Sequence, residues 1–352
     1  MIKRATIFKK FEELFVRPGS IQIDLTNRCN LNCIYCYNRT NLLAKNKKEL
    51  SDTEWKLVVS NIISRLSPLF ITFSGGEPFL RSELLFSLSR KLKKAKIYVH
   101  INTNGLLIDK IIARELKKIG IDQLNINIDS FKNQDFLRGG SNLILRLEDS
   151  LKNLKKYFYA QRISISCVVN KLNYREILKI AEFVKEGGFK EIHLLDMIPC
   201  VPADKKFLLS KKEWLDFFKL CKKIKKMGVQ IRPNHALLFL DEFKDRVKVP
   251  FCMGGRFKMV ITANGQIVPC NYFKKEKFLC GNALEDDLLD IWRNSPMMKK
   301  FRYFVPREEK CQNCNFLNLC TGGCRAFALS VLGNEFKSDP YCLVYNLKNA
   351  AK

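Results

Sequence analysis

The chain has 352 residues, of which 47% are hydrophobic and 28% charged. That balance excludes intrinsic disorder, and the length suits one large domain with a smaller companion. Lys and Arg number 62 against 35 Asp and Glu, a formal charge of +27. No apolar run approaches the roughly 18 residues that a bilayer span needs. The start, Met1-Ile2-Lys3-Arg4, is basic without the apolar stretch of a signal peptide. These features lead us to expect a cytoplasmic protein with no stable membrane insertion.

The chain also carries 14 cysteines. In a reducing compartment so many thiols point to metal and away from disulfides. They fall in three groups: Cys29, Cys33 and Cys36 together; Cys167, Cys200 and Cys221 in isolation; and eight between Cys252 and Cys342.

In chain order, Ile7, Phe8, Phe11, Leu14 and Phe15 form an apolar side within Ile2–Val16. This predicts a helical extension over residues 1–19 that packs under the body, or lies on a membrane surface. Apolar β-branched runs at Ile21–Thr26, Leu69–Phe73, Ile97–Thr103, Gln123–Ile128, Ile163–Val169 and Glu191–Leu195 predict six strands. Between them lie helical stripes. Trp55, Val58, Val59, Ile62, Ile63 and Leu66 share one face, with Ser51 or Asp52 as N-cap. Ile111, Ile112, Leu116 and Ile119 form another stripe, and Ile177, Leu178, Ala181 and Val184 a third. All three read as core packing. Successive β-α units imply a parallel sheet, either open or curled into a partial (β/α) barrel. In both cases ligands bind beyond the C-terminal ends of the strands.

Residues 201–250 read as a bridge containing a Lys-rich helix, Lys211–Met227, with Trp214, Phe217, Phe218 and Cys221 on its apolar side. Cys167, Cys200 and Cys221 read as small buried hydrophobes. His100 and His193 lie on predicted strands, which suits a core or barrel role. His193, nearer a strand's C-terminal end, is the better active-site candidate. Basic runs such as Lys91–Lys96 and Lys222–Lys226 are solvated helix faces, or attract an acidic partner. No nucleic-acid-binding motif accompanies them.

Three motifs carry chemistry. Cys29-x3-Cys33-x2-Cys36 follows the first strand. Three soft thiolates suit an iron–sulfur cube with one iron left open, whereas structural zinc wants four ligands. Ser74-Gly75-Gly76-Glu77-Pro78 ends the second strand. Its glycines admit a close backbone approach, and Glu77 offers an acceptor to an ammonium group. Thr103-Asn104-Gly105 ends the third.

With Tyr35 before the last cysteine and Gly-Gly-Glu-Pro after the second strand, residues 20–200 resemble the radical S-adenosylmethionine (SAM) enzymes. The resemblance implies a partial (β/α)6, TIM-like barrel. It also implies a catalytic [4Fe-4S] cluster on Cys29, Cys33 and Cys36, with SAM chelating the open iron. Tyr35 would meet the adenine, Gly75, Gly76 and Glu77 the amino group, and Asn104 and Asn127 would line the site. Arg138, in Asp135-Phe136-Leu137-Arg138, would lie near SAM. An electron from the cluster would cleave SAM, and the 5′-deoxyadenosyl radical would abstract hydrogen from substrate. A donor such as ferredoxin or flavodoxin is expected.

Residues 251–346 resemble a SPASM auxiliary-cluster domain, followed by a tail over 347–352. The order is Cys252, Gly265-x4-Cys270, Cys311-x2-Cys314-x5-Cys320-x3-Cys324 and Cys342. By that resemblance Cys311, Cys314, Cys320 and Cys342 hold one auxiliary [4Fe-4S] cluster. Cys252, Cys270 and Cys324 hold part of a second. Some relatives have a further cysteine soon after the first, and residues 253–269 contain none. Either that cluster keeps an open iron, the reading we favour, or Cys280 completes it. Asn271 stands where sulfatase-maturing relatives place a basic Asp, which counts against that activity. Cys320-x-Gly322-Gly323-Cys324-Arg325-Ala326 and Asp339-Pro340-Tyr341-Cys342 most resemble peptide cross-linking enzymes of the pyrroloquinoline quinone type and enzymes of alternative haem biosynthesis. The implied substrate is a peptide or protein undergoing post-translational modification. The alternative is an acidic tetrapyrrole undergoing side-chain decarboxylation or removal.

Overall fold

The computed structural model describes residues 16–40, 48–232, 252–340 and 342. The helix expected over Ile2–Val16 lies outside them apart from Val16, as do the bridge beyond Arg232 and the tail.

Seven strands run parallel in sequence order: β1 (Ser20–Thr26), β2 (Phe70–Gly75), β3 (Tyr98–Thr103), β4 (Gln123–Asn127), β5 (Ile163–Val169), β6 (Glu191–Asp196) and β7 (Ile231–Arg232). The two-residue β7 extends the six expected strands by one. Strand β1 is buried on both faces. On β1, Ile21, Ile23 and Leu25 alternate with Gln22 and Asp24, and none is more than 4% exposed. The apolar set packs in the main core with the helix residues, while the polar set faces inward. Gln22, Ser74, Asn102, Asn125, Ser166 and His193, from six successive strands, line one cavity. Six strands can share a cavity only if the sheet curls, so the architecture is an open α/β barrel.

The helices follow from capping and period. Helix α1 (Asp52–Asn61) starts at Ser51, which accepts from the Glu54 amide while Glu54 returns a bond to the Ser51 amide. Trp55, Val58, Val59, Ile62 and Leu66 are fully buried. Helix α2 (Lys110–Ile119) departs from expectation. Ile111 is 74% exposed, and Ala113 joins Leu116 and Ile119 in the core. The buried face is centred on Ala113 and Leu116, which turns Ile111 outward. Helix α3 (Lys211–Lys226) buries Trp214, Phe217, Phe218 and Cys221 as its pattern requires.

The cysteine-rich part grows directly from the barrel sheet. Strand β8 (Lys258–Ile261) pairs parallel with β1 on the side away from β2. Strands β9 (Gln266–Val268) and β10 (Gly281–Asn282) continue antiparallel from it. Among the described residues no helix is long and apolar enough to cross a membrane.

Candidate active site

The cavity has a volume of about 580 Å³ and opens at the C-terminal ends of the strands. Cys29, Cys33, Cys36, Tyr35, Gly75, Gly76, Glu77, Asn104, Asn127 and Arg138 all line it. His193 and Asn271 line it too.

Gly75 and Gly76 serve a purpose that the sequence reading did not give them. A Cβ on Gly75 would lie 2.4 Å from the Thr26 carbonyl oxygen, and one on Gly76 would lie 2.0 Å from that of Arg28. Gly75 also has φ +117°. The Gly76 amide donates to the Thr26 carbonyl at 2.7 Å, and the Glu77 amide to that of Arg28 at 2.8 Å. The glycines press the β2 turn against the chain's own cysteine loop.

Glu77 is fully buried. One carboxylate oxygen accepts from Thr103 Oγ1 at 2.8 Å and the Phe79 amide at 3.2 Å; the other accepts from the Asn104 amide at 2.8 Å. Burial pushes its pKa up to about 7, against the lowering pull of these donors. Asn104 continues the chain of contacts. Its Nδ2 donates to Asn30 Oδ1 at 2.7 Å and reaches Cys29 Sγ at 3.9 Å.

Asp129, to which the sequence pattern assigns no role, organises the opposite wall. Its carboxylate accepts from the Tyr35 hydroxyl, from Arg138 Nε and from the Val168 amide. Arg138 then places Nη1 3.8 Å from Cys33 Sγ, while its buried Nη2 has no hydrogen-bond partner. Burial pushes the Cys33 thiol up to about 11, and the guanidinium pulls it back. Cys29 and Cys33 each feel the charge of Cys36. Three convergent thiols beside a buried cation with a spare donor fit an anionic iron–sulfur cluster.

The C-terminal cysteines form two sets. Cys324 feels Cys252 and Cys270, and Cys270 feels Cys252. Cys320 feels Cys342 and Cys311, and the Cys314 amide bonds the Cys311 carbonyl at 3.1 Å. Cys280 stands elsewhere, its thiol donating to the Phe278 carbonyl at 3.6 Å. Arg325 is 1% exposed, with all three guanidinium nitrogens unpartnered, and it feels Cys252, Cys324 and Cys270. An orphaned buried guanidinium facing three thiols is what a negatively charged cluster would satisfy. Among the described residues no three His, Cys, Asp or Glu side chains close on a point for a single ion. A cluster of several irons does not need that, because each iron takes its own thiolate.

Two of the isolated cysteines, Cys167 and Cys221, are fully buried as expected. Cys200 departs from the expectation. It is half-buried, with Sγ 3.9 Å from the Tyr35 carbonyl.

Residues 23–184 match the family model of the radical SAM superfamily, and residues 252–315 match that of SPASM, an iron–sulfur cluster-binding domain. The chain is 27% identical over 345 residues to the AdoMet-dependent heme synthase of Methanosarcina barkeri, across 93% of this chain and 96% of that protein. It is 27% identical over 340 residues to the PqqA peptide cyclase of Gluconobacter oxydans, across 92% and 90%. The solved structure of native anSMEcpe with bound AdoMet superposes with a TM-score of 0.73 at 23% identity, over 95% of this chain and all of that one. Streptococcus suis SuiB bound to its precursor peptide SuiA gives 0.73 at 21% identity, over 97% and 79%. At these identities the structural likenesses establish the fold. The paired domain matches, on a barrel whose cavity gathers the three-cysteine loop, make this chain a radical SAM enzyme with a SPASM iron–sulfur domain.

Proposed function

We propose that this enzyme cleaves SAM reductively and abstracts a hydrogen atom from a peptide or protein substrate, as a step in post-translational modification. The observation that carries the chemistry is the convergence of Cys29, Cys33, Cys36, Glu77 and Arg138 on one cavity. The peptide reading is supported by similarity to PqqA peptide cyclases.

In this reading Cys29, Cys33 and Cys36 hold the catalytic [4Fe-4S] cluster. When bound, it supplies the electron that breaks the C5′–S bond of SAM and so releases the hydrogen-abstracting radical. Glu77 attracts the ammonium of SAM and, through Thr103 and Asn104, fixes the turns after β2 and β3. Tyr35, anchored by Asp129, gives the adenine a rigid ring. Gly75, Gly76, Asn104 and Asn127 complete the SAM wall, and Arg138 balances charge at Cys33. The barrel core spans 20–200, the bridge 201–250 and the auxiliary domain 251–346. Cys311, Cys314, Cys320 and Cys342 hold one auxiliary cluster. Cys252, Cys270 and Cys324 hold the other with an open iron, in line with the placement of Cys280. A small reducing protein such as ferredoxin or flavodoxin delivers electrons.

A second reading is favoured by the near full-length similarity to an AdoMet-dependent heme synthase. In it the substrate is an acidic tetrapyrrole that loses or decarboxylates a side chain. The test is 5′-deoxyadenosine formation by the anaerobically reconstituted, reduced enzyme with SAM and fractionated source-cell extract. Stimulation abolished by protease is the expected result. Stimulation that survives in a small coloured fraction would replace the peptide reading with the tetrapyrrole one. No 5′-deoxyadenosine at all would overturn both.

A further inference from the structure

We propose that Arg325 sets the reduction potential of the auxiliary cluster at Cys252, Cys270 and Cys324, making it the more oxidising of the two auxiliary clusters. This rests on the reading that both C-terminal cysteine sets hold iron–sulfur clusters.

The guanidinium of Arg325 stacks between two aromatic rings, 4.8 Å from the Phe301 centroid and 4.6 Å from that of Phe304. The rings hold it in place and supply no acceptor. Its Nε, Nη1 and Nη2 are all buried without a hydrogen-bond partner; it feels Cys252, Cys324 and Cys270, and the like charge of Arg256 lies beside it. A buried cation with unspent donors is strongly unfavourable unless an anion completes it. Cluster sulfurs beside those cysteines are such acceptors. N–H···S hydrogen bonds and nearby positive charge favour the reduced, more negative form of a cluster and raise its potential.

Two further features act in the same direction. Cys324 is the N-cap of the eight-residue helix Arg325–Leu332, whose N-terminal end carries partial positive charge. Lys258 feels Cys270 and hydrogen-bonds the neutral amide oxygen of Gln22 at 2.8 Å.

The other set lies in a different field. Cys311 feels Glu308 and Lys310, charges of opposite sign, and Cys320 feels Asp339. Asp339 lies between the sets and also acts on Cys324. Arg256 is close to both Cys252 and Cys320, but three of its five N–H groups already donate, to the Arg302 and Phe304 carbonyls and the Thr321 hydroxyl. Arg325 therefore brings its whole set of donors to a cluster, where Arg256 has fewer than half of its own left.

The test is a potentiometric titration of the reconstituted full-length protein without SAM, followed by electron paramagnetic resonance, with iron counted in every sample. Cys270→Ala and Cys311→Ala identify which signal belongs to which set. In the wild type, the signal lost in Cys270→Ala should have the more positive midpoint. Arg325→Met should keep its iron and move that midpoint negative by at least a tenfold change in equilibrium constant, about 59 mV for one electron. Arg325→Lys keeps the charge without the fork and should move it less. A retained cluster with an unmoved midpoint would overturn the proposal, as would a shift confined to the Cys311 signal. Loss of iron in both Arg325 variants would show that the residue builds the site and does not tune it. Full iron content in Cys270→Ala would overturn the underlying cluster reading instead, and the proposal with it.

Discussion

Lys274 bonds its ammonium to the carboxylate of Asp24, which stands 250 positions earlier in the chain. Both side chains are almost wholly buried, at 3% and 0% exposure. Asp24 also accepts from Gln22 Nε2 at 2.8 Å. Lys274 donates to Asn38 Oδ1 at 2.5 Å and lies 4.6 Å from the Tyr37 ring centroid. The pair therefore fastens β1 and the end of the cysteine loop to the segment after Cys270. Removing one partner leaves a buried charge uncompensated. Lys274→Met should cost about 3–5 kcal/mol in anaerobic urea unfolding. The double variant Asp24→Leu with Lys274→Met should recover a large part of that loss. A double-variant loss equal to the sum of the two single-variant losses would mean that the pair is not coupled.

If Glu77 holds the ammonium of SAM as proposed, SAM binding should depend on pH. Burial holds its pKa at about 7, and an ammonium group binds the ionised carboxylate. Affinity for SAM should therefore rise with pH from 6 toward 8, with a slope approaching about tenfold per unit below the pKa. Equilibrium dialysis of SAM against the unreduced enzyme measures this. Glu77→Gln should bind more weakly and lose the pH dependence. A variant that keeps the wild-type slope would assign the titration to another group.

His100 should make the fold sensitive to acid. It stacks on Phe70 with ring centroids 4.8 Å apart, and burial first, then the charge of Arg232, lowers its pKa to about 4. Between pH 4 and the ordinary value of 6.5 the unfolded chain binds the proton and the folded chain does not. Stability therefore rises with pH across that window and falls on acidification. His100→Phe should keep the ring contact and flatten this limb in a series of thermal midpoints. An unchanged limb would move the cause elsewhere.

Cys280 should be dispensable for iron. Its thiol donates to the Phe278 carbonyl at 3.6 Å, and burial pushes its pKa up to about 12. Cys280→Ala should leave the iron content unchanged, while loss of about one cluster would make Cys280 the fourth ligand after all.

Local pattern made much of this protein legible before its structure. Alternating β-branched runs placed β1 to β6, because strand period and turn residues act over a few positions. The three-cysteine loop was legible because its thiols sit within eight residues. Contacts that cross the barrel were not. Asp129 gathers Tyr35, Arg138 and Val168, which are 94, 9 and 39 positions away. A faint clue existed, since acids such as Asp24 in Ser20–Thr26 or Asp129 just past β4 fall where burial is expected and demand a partner. Gly75 and Gly76 were legible as tight approaches, but their neighbour proved to be the Cys29 loop. Ile111 shows the limit of counting period, because the face a short helix buries is decided by what packs against it.

Strand β1 is hydrogen-bonded to β2 on one side and to β8 on the other. A chain cut after Arg232 would strip β8 away and expose the backbone donors and acceptors of Ser20–Ile23 along an apolar strand. Such an edge is a template for another chain's strand. The cysteine-rich part thus guards the barrel against self-association, and a truncated barrel should form inclusion bodies where the full chain does not.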